Sequence, residues 1–315
     1  MNNNLKITEN NVFLHKKTMK IVFELPFFSS ICGGVMATVR LAEQMGADLH
    51  FQRLTGHKPV TTCRYTVGTP PVNFDHWITY SDNPFVHPKT DAVMMLSYGM
   101  SIAQERRNAL KTGWKVMCST KKIEDSIRKN GGNPIRVGFD INTTGLKNEN
   151  RDRKRYLAIM AHDMPSKQYA FAARTADNLY NDGVIEGTVI FGQKHPLKPK
   201  SMVKSYYNAN RSQINEVFNQ CKCYLMPSTS EGLNLTPIES TLCGCPAIIL
   251  DGAIGELFYD RYNVTIGTEH IEAMIDNYDM IAPIYQERME NIVQPYTIKT
   301  VADNVLSAIT NNFLS

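Results

Sequence analysis

The stretch between residues 223 and 250 constrains the fold of this chain more than any other. Residues 223–226 and 247–250 are short apolar runs with the length and composition of buried strands. A polar loop and a helical segment separate them. Pro237 suits the first helical turn, and Gly244 is a residue type that commonly ends helices. The sequence therefore predicts a strand, helix, strand unit, and the amide groups at the start of its helix are suited to bind phosphate.

Two carboxylates accompany this helix. Glu231 lies in the loop before it and Glu239 lies within it, while Asn234 or Thr236 can cap its first free amides. A carboxylate beside a phosphate-binding helix end is unexpected unless it binds a neutral hydroxylated group, such as a sugar or a ribose. The pair therefore predicts a nucleotide-sugar site. The alternative is that both acids only complement the helix dipole.

Residues 227–246 read Pro-Ser-Thr-Ser-Glu-Gly-Leu-Asn-Leu-Thr-Pro-Ile-Glu-Ser-Thr-Leu-Cys-Gly-Cys-Pro. They closely resemble the donor-site signature of glycosyltransferase family 4, which runs roughly Pro-Ser-x-x-Glu-Gly, six variable residues, Glu-Ala, three variable residues and Gly-x-Pro. This chain departs from the signature at Ser240, where alanine is usual. The resemblance implies an α/β fold with two Rossmann-like domains facing across a cleft, the GT-B architecture. It also implies a retaining glycosyltransferase, a hexosyl- or pentosyltransferase, with a UDP-sugar as the expected donor.

The resemblance implies catalytic roles for Lys167, Glu231 and His162. In the family, the loop after the first strand of the second domain reads Gly-Arg-x-x-x-x-Lys, and its cations neutralise the donor diphosphate. Lys167 matches the lysine, whereas His162 replaces the arginine and Ala161 the glycine. A protonated His162 could act for the arginine only if the phosphates raised its pKa, and Lys167 could instead be a surface lysine. The implied donor-binding residues are Gly33, Gly34, Gly232, Leu233, Asn234, Thr236, Glu239 and Tyr207.

Strands alternate with helices along the chain, which indicates mostly parallel sheets. Gly33 and Gly34 open a helix after the first strand, where the family's glycines approach the donor, although glycines also serve tight turns. A chain of 315 residues is expected to form two domains. We predict an acceptor-side domain at 1–145 with an extension at 1–18, a nucleotide-sugar-binding domain at 146–297, and a terminal helix at 298–315 that crosses back to the first domain, as in the family.

The composition indicates a globular protein without a membrane span. No apolar run approaches the ~20 residues that cross a bilayer, and the first residues lack the pattern of a signal peptide. We therefore expect a cytoplasmic location, in the host cell if the protein is viral. The seven cysteines include Cys221, Cys223, Cys243 and Cys245, which fit reduced buried thiols better than a zinc site. The chain has no Asp-x-Asp tripeptide, and we expect neither a metal nor a cofactor beyond the donor.

The acceptor is predicted from charge placement. The formal net charge is +4, and residues 142–155 form a polar linker with a basic end, interpreted as a solvated hinge. Arg151, Arg153 and Lys154 would give this hinge an edge that attracts phosphate. Asp82 and Tyr98 follow predicted strands and could touch an acceptor, although an ordinary turn role is equally open to Asp82. These residues favour double-stranded DNA with hydroxymethylated bases, because bacteriophage glycosyltransferases that modify such DNA share this architecture; the base would be flipped into the cleft.

Two other functions stay open from the sequence. One is a glycosyltransferase of surface glycan or lipid-linked oligosaccharide synthesis, whose basic residues would contact anionic lipid headgroups. The other is a nucleotide-sugar-binding protein without transferase activity, suggested by His162 in place of arginine. The sequence identifies neither the sugar, the base of the donor nor the oligomeric state.

Overall fold

The computed structural model describes residues 19–27, 33–54, 59, 61–69, 71, 73–80, 93–97, 115–229, 231, 233–250 and 265–312. Every helix and strand named below lies within these ranges. The predicted extension at 1–18 lies outside them, as does the segment 101–110, whose sequence predicts a helix.

Seven parallel strands form the first sheet. In chain order its elements are β1 (Ile21–Leu25), α1 (Gly33–Met45), β2 (Asp48–Phe51), β3 (Tyr65–Val67), β4 (His76–Thr79), β5 (Val93–Ser97), β6 (Lys115–Cys118), α2 (Lys121–Lys129) and β7 (Ile135–Arg136). The spatial order of the strands is β3-β2-β1-β4-β5-β6-β7. Helix α2 begins after Thr120, whose hydroxyl accepts a hydrogen bond from the Ile123 N–H, so the chain turns directly from β6 into this helix.

Six parallel strands form the second sheet, in the order β10-β9-β8-β11-β12-β13. Its elements are β8 (Lys154–Ala161), α3 (Tyr169–Asn181), β9 (Gly187–Gly192), β10 (Met202–Tyr207), α4 (Arg211–Gln220), β11 (Cys221–Met226), α5 (Leu235–Leu242), β12 (Ala247–Ile249) and β13 (Thr265–Ile266). Three helices follow: α6 (Ile271–Asp276), α7 (Tyr278–Val293) and α8 (Ile298–Asn312). No helix in the described ranges is long and apolar enough to cross a membrane.

The apolar runs of the sequence become strands that are buried along their length. All five residues of β1 are buried, as are the first five of β9, because helices cover parallel sheets on both faces. The predicted α/β class with two Rossmann-like sheets is therefore confirmed. The acidic segment 269–278 has a composition that predicts one helix. This prediction is wrong, because Asn277 leaves the helical conformation, with φ −102° and ψ 23°, between α6 and α7.

The last helix packs on the first sheet. Val301, Val305 and Ile309 of α8 share a buried cluster with Val35 and Val39 of α1. The second sheet has separate buried clusters of its own. This packing fits the predicted ranges 1–145, 146–297 and 298–315, whose exact boundaries stay predictions.

Both sheets reverse their strand order beside their first strand. The reversal lies between β1 and β4 in the first sheet and between β8 and β11 in the second. Ligands of open α/β sheets bind outside the carboxyl ends of the strands at such a point. The loops that follow β8 and β11 are therefore where a ligand site is expected.

Candidate active site

Two loops of the second sheet meet at this edge. The loop after β8 contains a short 3₁₀ helix, Pro165–Lys167, and the loop after β11 leads to α5. The main-chain N–H of Thr229 donates a hydrogen bond to the carbonyl oxygen of Ser166 over 2.8 Å. This bond holds the two loops side by side, although its partners are 63 positions apart in sequence.

Lys167 and Glu231, both assigned catalytic roles from the sequence, form an ion pair between these loops. The distance from Lys167 Nζ to Glu231 Oε1 is 2.5 Å, and the side chains are only 20% and 12% exposed. The pair is therefore partly shielded from water. Lys167 can bind a phosphate only by exchanging the carboxylate for a phosphate oxygen or by bridging the two groups.

His162 lies at the start of the same loop as Lys167. Its Nδ1 accepts a hydrogen bond from the main-chain N–H of Met164 over 3.0 Å. Burial lowers the pKa of the imidazole, and the nearby Lys167 charge lowers it further, against smaller opposing effects of Asp163 and Glu231. We therefore expect a neutral ring that carries its proton on Nε2. In this state His162 offers a hydrogen-bond donor and not the positive charge of the family's arginine.

Helix α5 begins close behind Glu231 in the chain. Asn234 precedes it in the left-handed conformation, with φ 59°, and its side chain forms no capping hydrogen bond, so the predicted cap by Asn234 is wrong. Thr236 lies in the first turn, and its side chain bonds to Tyr224. The partly buried Leu233 belongs to the preceding loop, and Gly232 lies outside the described residues. Binding of an anion by the first amides of this helix stays a prediction.

Glu239, in the second turn of α5, pairs with an arginine that the sequence analysis missed. Arg211 Nη1 lies 2.5 Å from Glu239 Oε1. Burial raises the pKa of the Glu239 carboxyl group, and Arg211 opposes this shift, helped by Arg40 of α1. Nothing in the local sequence marks Arg211 as a partner of Glu239, because the two residues lie on different helices.

Two helices that flank the first sheet contribute cations to this region: Arg40 from α1 and Lys122 from α2. Arg40 Nε donates to Asp140 Oδ2 over 2.8 Å, which holds Arg40 at a place where its charge acts on Glu239. Lys122 Nζ donates to the main-chain oxygen of Glu231 over 3.3 Å. The sequence marks Lys122 only as part of a basic stretch and does not show its contact with Glu231.

Packing against Tyr80 accounts for the glycine at position 34. A Cβ atom at this position would lie 2.1 Å from the Tyr80 hydroxyl oxygen, so the tyrosine requires glycine there. Gly33 is the first residue of α1. The donor contacts expected of Gly33 and Gly34 stay predictions.

Tyr207, the predicted contact for the donor base, is the last residue of β10. Asn208 follows it in the left-handed conformation, with φ 52°, and donates its main-chain N–H to the Gly192 carbonyl oxygen over 2.7 Å. Tyr207 therefore lies at the carboxyl end of its strand, on the ligand side of the sheet. Its role stays a prediction.

Of the predicted acceptor residues, the structure describes Arg151, Arg153 and Lys154. Asp82 and Tyr98 lie outside the described residues. Arg153 donates hydrogen bonds to the carbonyl oxygens of Phe218, Cys221 and Cys243 and to the side chains of Asn148 and Asn219. Its guanidinium group is used inside the protein, so Arg153 is not retained as an acceptor contact. Arg151 pairs with Glu149, and Lys154 is exposed above the Tyr156 ring.

The linker that carries these residues is not a solvated hinge throughout. The buried Asn215 and Asn219 of α4 accept hydrogen bonds from the main-chain N–H groups of Lys147 and Glu149, at 2.9 and 2.8 Å. Asn219 also donates to the Lys147 carbonyl oxygen. Main-chain groups of the linker are therefore hydrogen-bonded to helix α4.

The cysteines of the described ranges are free thiols. Cys221, Cys223, Cys243 and Cys245 are buried, and burial raises the pKa of each. Within the part of the chain that the structure describes, no group of three or more His, Cys, Asp or Glu side chains is arranged to hold a metal ion. These cysteines fill space in the second sheet's core.

Comparison with known proteins agrees with this architecture. Residues 190–275, which include Arg211, Glu231 and Glu239, match the family described as Glycosyl transferases group 1. This match confirms the predicted enzyme class, a glycosyltransferase. A comparison of the sequence with curated proteins gives no match.

Three solved structures illustrate the likeness in fold. WaaG, a glycosyltransferase involved in lipopolysaccharide biosynthesis, has a TM-score of 0.68 and 13% identity, covering 92% of this chain and 99% of its own. HepE of Anabaena, in complex with UDP and glucose, has a TM-score of 0.69 and 11% identity over 93% and 99%. Sucrose-phosphate synthase from Thermosynechococcus elongatus has a TM-score of 0.69 and 10% identity over 94% and 99%. At these identities the likeness shows the fold alone, and it confirms the predicted GT-B architecture.

Proposed function

We propose that this protein is a retaining glycosyltransferase that moves a sugar from a UDP-sugar to a hydroxyl group of a glycan. The observation that carries the proposal is the convergence of Lys167, Glu231 and the start of α5 at the point where the strand order of the second sheet reverses. Residues 146–297 would hold the donor and residues 1–145 would face the acceptor. The presence of UDP and glucose in the HepE structure supports a UDP-sugar donor.

The chemistry follows from the charges of this site. When the bond between the sugar and the diphosphate breaks, negative charge develops on the leaving phosphate oxygen. Lys167 and the first amides of α5 would stabilise that charge, and Glu231, released from Lys167, would bind a sugar hydroxyl. The family resemblance implies retention by attack of the acceptor hydroxyl on the same face of the sugar, with the leaving phosphate oxygen taking the hydroxyl proton. His162 would donate a hydrogen bond from Nε2 to the diphosphate.

Thermal unfolding with a panel of nucleoside diphosphates and nucleotide sugars tests the donor. UDP and UDP-sugars should raise Tm more than ADP, GDP or CDP, because a ligand at 100 times its Kd stabilises the folded state by about 2.7 kcal/mol. Glu239→Ala should weaken UDP binding about tenfold or more if Glu239 binds the ribose hydroxyls. A protein whose Tm responds to none of these ligands would contradict the proposed donor class.

A glycan is favoured as the acceptor for two reasons. WaaG, whose structure resembles this fold, is an enzyme of lipopolysaccharide biosynthesis. The linker also has fewer basic side chains free to contact DNA than its sequence predicts. Of the three linker residues behind the DNA hypothesis, Arg153 is used internally and Arg151 is paired with Glu149. Lys154 remains available to phosphate. Double-stranded DNA with hydroxymethylated bases is therefore the second hypothesis, and the predicted cytoplasmic location is compatible with both acceptors.

Mass spectrometry of candidate acceptors separates the two hypotheses. The enzyme is incubated with the preferred donor and either an oligosaccharide acceptor or duplex DNA that contains hydroxymethylated bases. We expect the oligosaccharide to gain the mass of one sugar. A gain on DNA instead, with binding that weakens steeply with salt and less steeply in the variant with Arg151→Gln and Lys154→Gln, would establish the DNA hypothesis.

A further inference from the structure

Arg211, the first residue of α4, places each nitrogen of its guanidinium group on a different acceptor. Nη1 donates to Glu239 Oε1 over 2.5 Å, and Nε donates to the Thr144 carbonyl oxygen over 3.1 Å. Nη2 donates to the Asn142 carbonyl oxygen. One planar side chain thus joins a carboxylate of the candidate donor site to two main-chain groups.

The two main-chain acceptors belong to the connection between the sheets. Asn142 and Thr144 lie after β7, the last strand of the first sheet, and before β8, the first strand of the second. Gly145 follows with φ 76°, and a Cβ atom there would lie 3.4 Å from Arg211 Cγ. The connection is therefore fitted closely around the arginine side chain.

The surroundings of Glu239 make this arginine necessary for more than local packing. The side chains of Arg211 and Glu239 are 32% and 17% exposed, so the carboxylate has lost much of its hydration. A carboxylate in such a place stays ionised and fixed only when a cation holds it. Arg40, which is itself paired with Asp140, adds a second positive charge near Glu239.

We propose that Arg211 is a positioning residue for the donor: it orients the Glu239 carboxylate toward the ribose hydroxyls and ties that orientation to the connection between the two sheets. This inference rests on the proposed function. Lysine cannot replace arginine in this role, since an ammonium group cannot reach the three acceptors in the plane that the guanidinium fork provides. Movement of the connection, as when the sheets approach each other over a donor, would be transmitted to Glu239 through this side chain.

Binding of UDP and of 2′,3′-dideoxy-UDP, measured by calorimetry, tests the inference. The two ligands differ only in the ribose hydroxyls. Wild-type protein should prefer UDP by about tenfold or more, the scale of hydrogen bonds to a charged group. Glu239→Gln should remove most of this preference, and Arg211→Met should reduce it to a similar extent. The variant with both changes should resemble Glu239→Gln alone, because the arginine acts through the carboxylate.

Lys204→Met is the matched control. Lys204 Nζ lies 2.9 Å from Glu216 of the same helix α4, so this change also removes an ion pair between α4 and a neighbouring strand. It should leave the preference for UDP unchanged. Arg211→Lys keeps a positive charge near Glu239 and is used if Arg211→Met fails to fold; it should reduce the preference at least about threefold.

If the wild-type protein binds UDP, three results would overturn the inference. An unchanged preference for UDP in folded Arg211→Met or Arg211→Lys would remove the role of the arginine. Equal weakening of UDP and dideoxy-UDP would show a purely structural role. Additive losses in the double variant would show that Arg211 does not act through Glu239. A wild-type protein that binds neither ligand would instead contradict the proposed donor, and the inference with it.

Discussion

The ammonium group of Lys122 donates a hydrogen bond to the main-chain oxygen of Glu231 over 3.3 Å. Lys122 lies in the first turn of α2, beside the first sheet, whereas Glu231 lies in the loop after β11 of the second sheet. The two residues are 109 positions apart in sequence. This hydrogen bond therefore joins the two sheets at the loop that carries a candidate catalytic carboxylate.

Lys122→Met should lower kcat/KM about three- to tenfold, because the loop that carries Glu231 loses its contact with the first sheet. Lys121→Met is the control: Lys121 is the preceding residue of the same helix, but its side chain pairs with Asp125 on the surface. Steady-state kinetics of both variants give the comparison. Equal kinetics for the two variants would show that the hydrogen bond does not matter for turnover.

Lys167→Met should lower kcat by about 100-fold or more while weakening UDP binding much less. The reason is that Lys167 would act mainly on the charge that develops as the diphosphate leaves. Single-turnover kinetics and UDP calorimetry on the same preparation separate the two effects. An unchanged kcat would exclude the role, and a Kd for UDP that rises while kcat is unchanged would indicate that Lys167 binds the ground state and the transition state equally.

The affinity for UDP should rise as the pH falls from about 8 to about 6. Burial and Lys167 lower the pKa of His162 in the free protein, whereas a bound diphosphate would raise it, so that UDP binding takes up a proton. His162→Gln should lose this share of the pH dependence, and the protonation of UDP itself stays as the baseline. His162→Arg should hold its affinity at alkaline pH. Calorimetry of UDP binding between pH about 6 and about 8 tests this prediction. The same dependence of Kd on pH in the wild type and in His162→Gln would contradict it.

Asn219→Leu should lower the free energy of unfolding by about 3 kcal/mol. Asn219 is fully buried and bonds to the main chain of Lys147 and Glu149 and to Arg153. Leucine would remove the side-chain partner of the Glu149 N–H and of the Lys147 carbonyl oxygen, whereas Arg153 keeps its other acceptors. Asn178→Leu, at an exposed position of α3, should change stability by less than about 0.5 kcal/mol. Urea denaturation measures both. Equal urea midpoints for Asn219→Leu and the wild-type protein would show that Asn219 does not hold the linker.

The elements of the second sheet were largely predictable. Strands β9 and β11 are buried along most of their length, so their sequences are mostly apolar and their position shows in the pattern. Helix ends were less predictable. Asn234 has the residue type of a cap, but it takes the left-handed conformation and its side chain forms no capping hydrogen bond.

The sequence by itself determined the alternation of strands and helices, and with it the edge of the second sheet where Lys167, Glu231 and α5 meet. These follow from local pattern and from the rule that parallel strands present their carboxyl ends together. Only the tertiary structure decided what each charged side chain contacts. Three arginines illustrate this. Arg151 pairs with Glu149, Arg153 donates to main-chain carbonyl groups, and Arg211 contacts both Glu239 and the linker. A guanidinium group binds any nearby acceptor, and which acceptor is near depends on how distant elements pack.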